Sequence, residues 1–569
     1  MSKYNKWYHP YEINEKYNTR VAYFSMEFGI DQALKIYSGG LGYLAGSHMR
    51  SAYDLRQNMI GVGMLWKFGY YDQTRTEDQR MGIQFQKKYY SFLEDSGIKV
   101  EVIIHGSPVW VKAMVLRPDT FGTVPMYLLT TDIPENDHLA RTISYKLYDP
   151  VQETRIAQSI VLGIGGAKVV EALGGADIYH MNEAHALPLA FHMYGRMRNL
   201  EEVKKQIVFT THTPEKAGNE ERDIELLNRM SFFGPVPLEE ARYISGMHGE
   251  QFNYTLAALR LSKIANGVSQ LHGEVSRQMW YGNEGISEIK AITNAQNVPY
   301  WRDQKLQDAI DRNDDKALTL RKEEMKRGLF EIVADQTGKL FRPDVLTIVW
   351  ARRFAGYKRA DLLLRNIHRF MDFISRSDMP VQIIWAGKPY PFDYGAIEVF
   401  NRLMEMSYQR PNVAVLTGYE KNLSKKLKQG ADVWLNTPRR PREASGTSGM
   451  TAAMNGAINF TIQDGWIPEF ARHGENSFLI PICDTSLPDH VQDDIDYDHM
   501  MRILEQEVVP TYYRNHGQWL AIVKQAMKDV VPQFGADRMA DEYYREIYHA
   551  PMSQPNGHAV SQHSQSMAH

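Results

Sequence analysis

The strongest constraint on this chain is one unit repeated along its length: a short apolar run, a glycine-rich or polar turn, then apolar residues at helical spacing. Strands buried on both faces read as continuous apolar runs, and a run followed by a crossover helix is how a parallel sheet is built. In the first half the runs are Val21–Phe24, 178–180 and Ile207–Thr210; in the second they are 345–351, Val381–Ala386, Val413–Leu416, 433–435 and 458–460. Between two of these, Leu362, Leu363, Leu364, Ile367, Phe370, Met371 and Ile374 keep the helical period. Residues 102–132 break the rule and read as an antiparallel meander turning at Gly106 and Gly122, predicted as a local insertion near 100–132. The alternation restarts at Asn294. The pattern predicts an α/β protein of two large domains, 1–293 and 294–551, followed by a Ser-, Gln-, His- and Pro-rich tail, 552–569, with too little apolar content to fold alone.

Composition narrows the function classes. The 569 residues carry 65 Lys+Arg against 68 Asp+Glu, a formal charge of −3, which gives no electrostatic reason to expect nucleic acid or an anionic membrane as partner. A hydrophobic share of 43% supplies large cores and excludes disorder over most of the chain. The single cysteine, Cys483, can form neither an intrachain disulfide nor a thiolate metal site. Residues 1–16 do not read as a secretory signal, and no run approaches the ~18 apolar residues needed to span a bilayer, so the cytoplasm is the expected location. His558, His563 and His569 are irregularly spaced in the tail and read as solvated; no metal is predicted.

Open α/β sheets bind ligands at the carboxyl ends of their strands, and four segments stand there. Ser38-Gly39-Gly40-Leu41-Gly42 precedes a helical pattern over 43–55, offering bare amides to a phosphate or, more simply, a tight turn. Arg352-Arg353-Phe354-Ala355-Gly356-Tyr357-Lys358-Arg359 places four cations after the run 345–351, with Arg353 and Lys358 spaced to clamp an anion. Thr437-Pro438-Arg439-Arg440-Pro441-Arg442-Glu443-Ala444-Ser445-Gly446-Thr447-Ser448 follows the run 433–435; Glu443 suits sugar hydroxyls, the small positions suit phosphate oxygens, and the three arginines argue against a plain capping loop. The fourth pairs Asn182-Glu183-Ala184-His185 with Thr210-Thr211-His212-Thr213-Pro214, polar clusters after successive strands.

These segments resemble the α-glucan phosphorylases, the glycogen, starch and maltodextrin phosphorylase family, in particular its shorter bacterial and archaeal branch. Matching stretches run in order from Arg20 to Trp466 and include Ala22-Tyr23-Phe24-Ser25-Met26-Glu27-Phe28-Gly29, Asp132-Ile133-Pro134-Glu135-Asn136 and Leu271-His272-Gly273-Glu274-Val275-Ser276. The resemblance implies a GT-B fold, two Rossmann-like domains facing an interdomain active-site cleft, and a retaining hexosyltransferase acting on α-1,4-glucans. It further implies a Gly40 amide near the transferred phosphate, Arg353 and Lys358 binding that phosphate, His212 and Asn294 at the donor glucose, and Glu443 and Gly446 holding its hydroxyls. Glu183 and His185 belong with the substrate-binding set, and Gly42, Tyr419 and Thr447 with the phosphate and cofactor pocket.

One departure from the family outweighs the others. Phosphorylases carry pyridoxal phosphate on a lysine directly after the methionine of the Glu-Ala-Ser-Gly-Thr motif; here Met450 is followed by Thr451, whose hydroxyl cannot form an imine. No lysine lies between Lys428 and Lys524, and the loop usually written Asn-Gly-Val reads Asn294-Ala295-Gln296. The expectation is therefore a transferase without covalent pyridoxal phosphate, taking glucosyl units from a nucleotide sugar whose diphosphate occupies the vacated space. Its alternatives are a phosphorylase that uses glucose 1-phosphate with noncovalent pyridoxal phosphate, and an inactive glucan-binding protein. The expected partners are an α-glucan or oligosaccharide acceptor and a nucleotide sugar or sugar phosphate, with homo-oligomerisation left open.

Overall fold

Two large sheets carry the chain, the second parallel throughout and the first parallel except at one margin, and each is wound outward in both directions from its first strand. A computed structural model describes residues 3–552; the expected tail beyond Met552, with its three histidines, lies outside the described residues. In the first sheet, Met59–Met64 and Met126–Thr130 lie on one side of Val21–Phe24, and Ile178–Asn182, Ile207–Thr210, Ile264–Gly267 and Ile289–Ala291 lie on the other. In the second, Val381–Ala386 and Val413–Leu416 flank Leu346–Ala351 on one side, while Val433–Asn436, Ile458–Ile462 and Ser477–Ile480 continue on the other. All neighbours named here pair in parallel. Such an order opens a crevice at the carboxyl ends where the winding reverses. The reversals fall between Val21–Phe24 and Ile178–Asn182, and between Leu346–Ala351 and Val433–Asn436, so the loops that follow these four strands meet any ligand.

Every residue of Val381–Ala386 is buried, as its apolar run requires, and its one polar member is satisfied: Gln382 accepts from the Arg342 amide at 2.7 Å and donates to the Arg342 carbonyl at 3.1 Å. The meander is antiparallel, with Leu93–Ile104 paired to Ser107–Leu116 and the latter to Met126–Thr130. It is not a separate excursion, however, because Met126–Thr130 also pairs in parallel with Met59–Met64 and so makes the meander the margin of the nine-stranded sheet.

One apolar cluster surrounds the first sheet, and it includes Met539, Tyr543, Tyr544, Ile547 and Tyr548, so the chain returns to that sheet at its end. There His180 accepts or donates at 2.7 Å to both the Tyr548 hydroxyl and the Thr210 hydroxyl, tying the returning segment beneath the strands that carry Asn182 and His212. Two clusters cover the second sheet, and a fourth joins Tyr37, Tyr43 and Trp301 to Met450, Ala453 and Met454, so apolar packing links the two sheet regions. Among the described residues no helix is long and apolar enough to cross a membrane, and none of their carboxylates, histidines or thiols group as a metal site.

Candidate active site

The first residue after Leu346–Ala351 is Arg352, only 6% exposed, and its Nη2 donates to Glu443 Oε2 at 2.9 Å. Lys358 Nζ reaches the same oxygen at 3.2 Å. The other two guanidinium nitrogens of Arg352, Nε and Nη1, are buried without a partner, as is the Ser445 hydroxyl. An unpaired buried donor is costly, so these atoms mark a place where an acceptor belongs. Burial pushes the Glu443 carboxyl up, but Lys358 and Arg352 outweigh it and hold the group below its usual range. Burial, reinforced by repulsion from Arg352, lowers the Lys358 ammonium to about 7. Gly446, at φ +74°, turns the chain just beyond Glu443 in a conformation that favours glycine. Arg353 is exposed and lines the same space.

That space is a cavity of about 280 Å³ whose wall comes from both sheet regions. Opposite the cations lies the glycine-rich loop before the helix Gly40–Asp54. Here Glu27 accepts from the Ser38 amide at 2.6 Å, the Gly39 amide at 3.1 Å and the Tyr148 hydroxyl at 2.8 Å. Gly42 makes this possible, since a Cβ there would stand 2.7 Å from Glu27 Oε2. Gly40 lines the cavity; Gly42 serves the Glu27 contact instead.

A second cavity of about 550 Å³ adjoins the first through Ser38, Tyr148, His212 and Arg353. Glu183 holds φ +69°, ψ 167°, a region open to almost nothing but glycine, and such strain concentrates at functional sites. Its carboxylate accepts from the amides of His212 and Ala184, and burial pushes it up to about 7. His212 Nε2 donates to Asn182 Oδ1 at 2.7 Å; burial lowers the ring to about 3, so it works as a neutral imidazole. His185 is lowered to about 4 by burial, and its Nδ1 has no partner.

Residues 250–480 match the family model described as carbohydrate phosphorylase. The maltodextrin phosphorylase of Thermococcus litoralis is 33% identical over 96% of this chain and 71% of its own length. This chain belongs to the phosphorylase family. The glycogen phosphorylase of Mycobacterium tuberculosis is likewise 33% identical, over 94% of this chain and 71% of its own length. An uncharacterised protein of Methanocaldococcus jannaschii is 47% identical over 93% of this chain and 99% of its own.

Of the residues singled out in this phosphorylase-family sequence, the structure brings Gly40, His212, Asn294, Arg353 and Lys358 to the smaller cavity. Tyr419, Glu443, Gly446 and Thr447 join them there, while Glu183 and His185 line the larger one. Sequence reasoning counted Arg352 among the four cations past the strand but gave the anion to Arg353 and Lys358, and it gave no role to Glu27, which sits far from its loop in the chain. The arginines around Glu443 need correcting. Arg439 and Arg442 bind Asp489, and Arg439 also binds Asp493, so they brace the loop against the helix Asp489–Ile503 and carry no argument for a ligand. Arg359 is spent in the same way on Asp493 and Asp496.

Thr451 is 1% exposed in the helix Ser448–Ala453, outside the cavity wall, and its hydroxyl donates to the Ser448 carbonyl at 3.0 Å. The site therefore fits a phosphorylated cofactor in part. The unpartnered nitrogens of Arg352 and the Ser445 hydroxyl suit its phosphate, whereas residue 451 offers no amine for its aldehyde.

Proposed function

We propose that this chain transfers glucosyl units between an α-1,4-glucan and a phosphate-bearing partner in the smaller cavity, within a GT-B arrangement of two domains that meet near Asn294 and whose last segment, Met539–Tyr548, returns to the first sheet, in the cytoplasm. The observation that carries the reading is the charge excess at the strand end: Arg352, Arg353 and Lys358 face one carboxylate, and two Arg352 nitrogens have no partner. Preorganised donors of this kind stabilise negative charge as it develops on a departing phosphate oxygen. Both cations engage Oε2 of the Glu443 carboxylate, so Oε1 can accept from a sugar hydroxyl, and Asn294 Oδ1 is buried without a partner. His212, neutral and fixed by Asn182, can hydrogen-bond the sugar without adding charge. The larger cavity, with Tyr148, Tyr254 and Tyr390 on its wall, suits the glucan chain. The relatives named maltodextrin and glycogen phosphorylase support phosphate and glucose 1-phosphate as the partner.

Thr451 favours a second reading, in which the donor is a nucleotide sugar and no covalent pyridoxal phosphate takes part. Mass spectrometry of a maltooligosaccharide incubated with glucose 1-phosphate, ADP-glucose, UDP-glucose or GDP-glucose, each with and without pyridoxal phosphate, separates the two. Elongation from glucose 1-phosphate supports the first reading and elongation confined to a nucleotide sugar the second. No elongation from any donor refutes both and leaves a glucan-binding protein.

A further inference from the structure

The larger cavity meets the smaller one at Ser38, Tyr148, His212 and Arg353, and away from that junction its wall carries two more guanidinium groups. Arg155 comes from the helix Gln152–Ile160. Arg222 comes from a short ribbon in which Glu221–Asp223 pairs antiparallel with Gln251–Asn253, and Tyr254, the next residue, lines the same wall. The two arginines share one carboxylate: Glu220 Oε1 accepts from Arg222 Nη2, while Glu220 Oε2 stands 3.5 Å from Arg155 Nη2. Arg222 Nη1 donates to the Glu221 carbonyl at 2.9 Å, and its Nε is buried without a partner. Arg359 is the contrast, since Asp493 and Asp496 both meet it. Glu183, also on this wall, is pushed up to about 7 by burial, so it is only partly ionised near neutrality. With Arg353 serving the phosphate of the smaller cavity, two guanidinium charges therefore face Glu220 and a fraction of a second carboxylate. A sugar entering the cavity expels the water that screens this excess, and a charge stripped of water is costly unless an opposite charge replaces it. The hydroxyls of a neutral glucan can satisfy Arg222 Nε but cannot balance the charge.

We propose that the acceptor taken up by the larger cavity is anionic, a sugar or short glucan whose phosphate monoester or carboxylate is clamped by Arg155 and Arg222. Guanidinium groups suit both anions, because their donors match two oxygens at once. His185, neutral and with its Nδ1 unpartnered, lies on the same wall and can add a hydrogen bond. The transfer itself is balanced as before: an acceptor hydroxyl oxygen bonds to the anomeric carbon, the bond from that carbon to the donor's phosphate oxygen breaks, and the hydroxyl proton leaves with the phosphate. The inference rests on the reading that places the acceptor in this cavity.

The test compares glucose, glucose 6-phosphate and glucuronate as acceptors for the full chain, with each donor named above, near neutral pH. The two anions sit on the same carbon and differ only as phosphate and carboxylate. At least one of them is expected to exceed glucose about tenfold or more in kcat/KM, the size of a hydrogen bond between charged groups, and the better one identifies the anion that the clamp fits. Arg222→Gln and Arg155→Gln should each bring the ratio of anionic to neutral acceptor down toward one. A second readout needs neither turnover nor a variant: phenylglyoxal labelling of the wild type, located by peptide mapping. Glucose 6-phosphate or glucuronate, but not glucose, is expected to slow labelling of Arg155 and Arg222 about tenfold. Equal or lower kcat/KM for both anions, a preference that survives in both variants, protection confined to Arg352 and Arg353, or no protection overturns the proposal. Elongation of glucose with neither preference nor protection removes the clamp and spares the transfer reading. Protection at Arg155 and Arg222 without elongation from any donor does the reverse.

Discussion

Two loops face each other across the smaller cavity, each built around a buried or half-buried carboxylate, and they differ in charge. At the glycine-rich loop, Glu27 is held by neutral donors alone: two amides, the Ser38 hydroxyl and the Tyr148 hydroxyl. At the opposite loop Glu443 is held by two cations, with the exposed Arg353 close by. The first loop is thus net negative and already satisfied; the second is net positive and keeps two unpartnered donors on Arg352. A glycine-rich turn at a helix start suggests an anion site in sequence, yet here the protein's own carboxylate occupies two of its amides. The side that still needs an anion is the cationic one.

The sharpest way to break this contrast is to remove a cation. Lys358→Ala is expected to lower turnover about 100- to 1000-fold, the loss seen when one preorganised donor to a developing anion is removed. Arg352→Ala should lower it at least as far and should also cost about 3 kcal/mol of stability, because Glu443 keeps only Lys358 in a buried setting. Steady-state rates with thermal unfolding check both. Near-normal turnover in either variant would falsify the assignment of the anion to this side.

The next largest effect is in pH. Lys358, lowered to about 7 by burial, is charged below that value and loses its charge above it. Affinity for an anion of fixed charge should therefore fall as pH rises past 7, by about tenfold per unit at the limit. Sulfate as a competitive inhibitor removes the ligand's own titration, since sulfate does not titrate in the range. Lys358→Arg should flatten the profile, and a steep profile surviving in that variant would assign it to another group.

How much of this was legible in the sequence depends on what each residue had to show. Strands such as Val381–Ala386 and Val413–Leu416 match their apolar runs to the residue, because burial on both faces leaves no room for alternation. Met59–Met64 escaped notice because Gly61 and Gly63 dilute its apolar signal. Yet a Cβ at Gly63 would stand 2.8 Å from the Phe28 ring, so packing demands what propensity disfavours. In the site, residue types marked the cationic loop, but type alone could not separate Arg352, which pairs with Glu443, from Arg353, which faces the cavity. Nor could it tell these from Arg439 and Arg442, which the acidic residues of Asp489–Ile503 engage. That separation depends on which way each side chain leaves a loop, which no local pattern encodes.

The anionic loop allows a smaller test. Glu27→Gln keeps an acceptor for the Ser38 and Gly39 amides and removes one negative charge from the cavity wall. Phosphate or glucose 1-phosphate should then bind about three- to tenfold more tightly, the size expected of one charge several ångströms away in a partly wet site. If KM for phosphate rises instead, Glu27 is helping to seat the substrate and the two loops act together.

The smallest expected effect concerns the position where the family resemblance fails. The Thr451 hydroxyl donates to the Ser448 carbonyl one turn back, and the residue lies outside the cavity wall. Thr451→Val keeps shape and removes that bond, so it should cost about 1 kcal/mol of stability and leave turnover within about twofold. The variant separates two explanations of the contrast between the loops. If the cationic side alone binds the leaving anion, losing a hydroxyl buried behind it changes only the melting temperature. If Thr451 touches a group that takes part in the reaction, turnover falls with little change in melting temperature, and the helix Ser448–Ala453 must then be counted as part of the anion's seat.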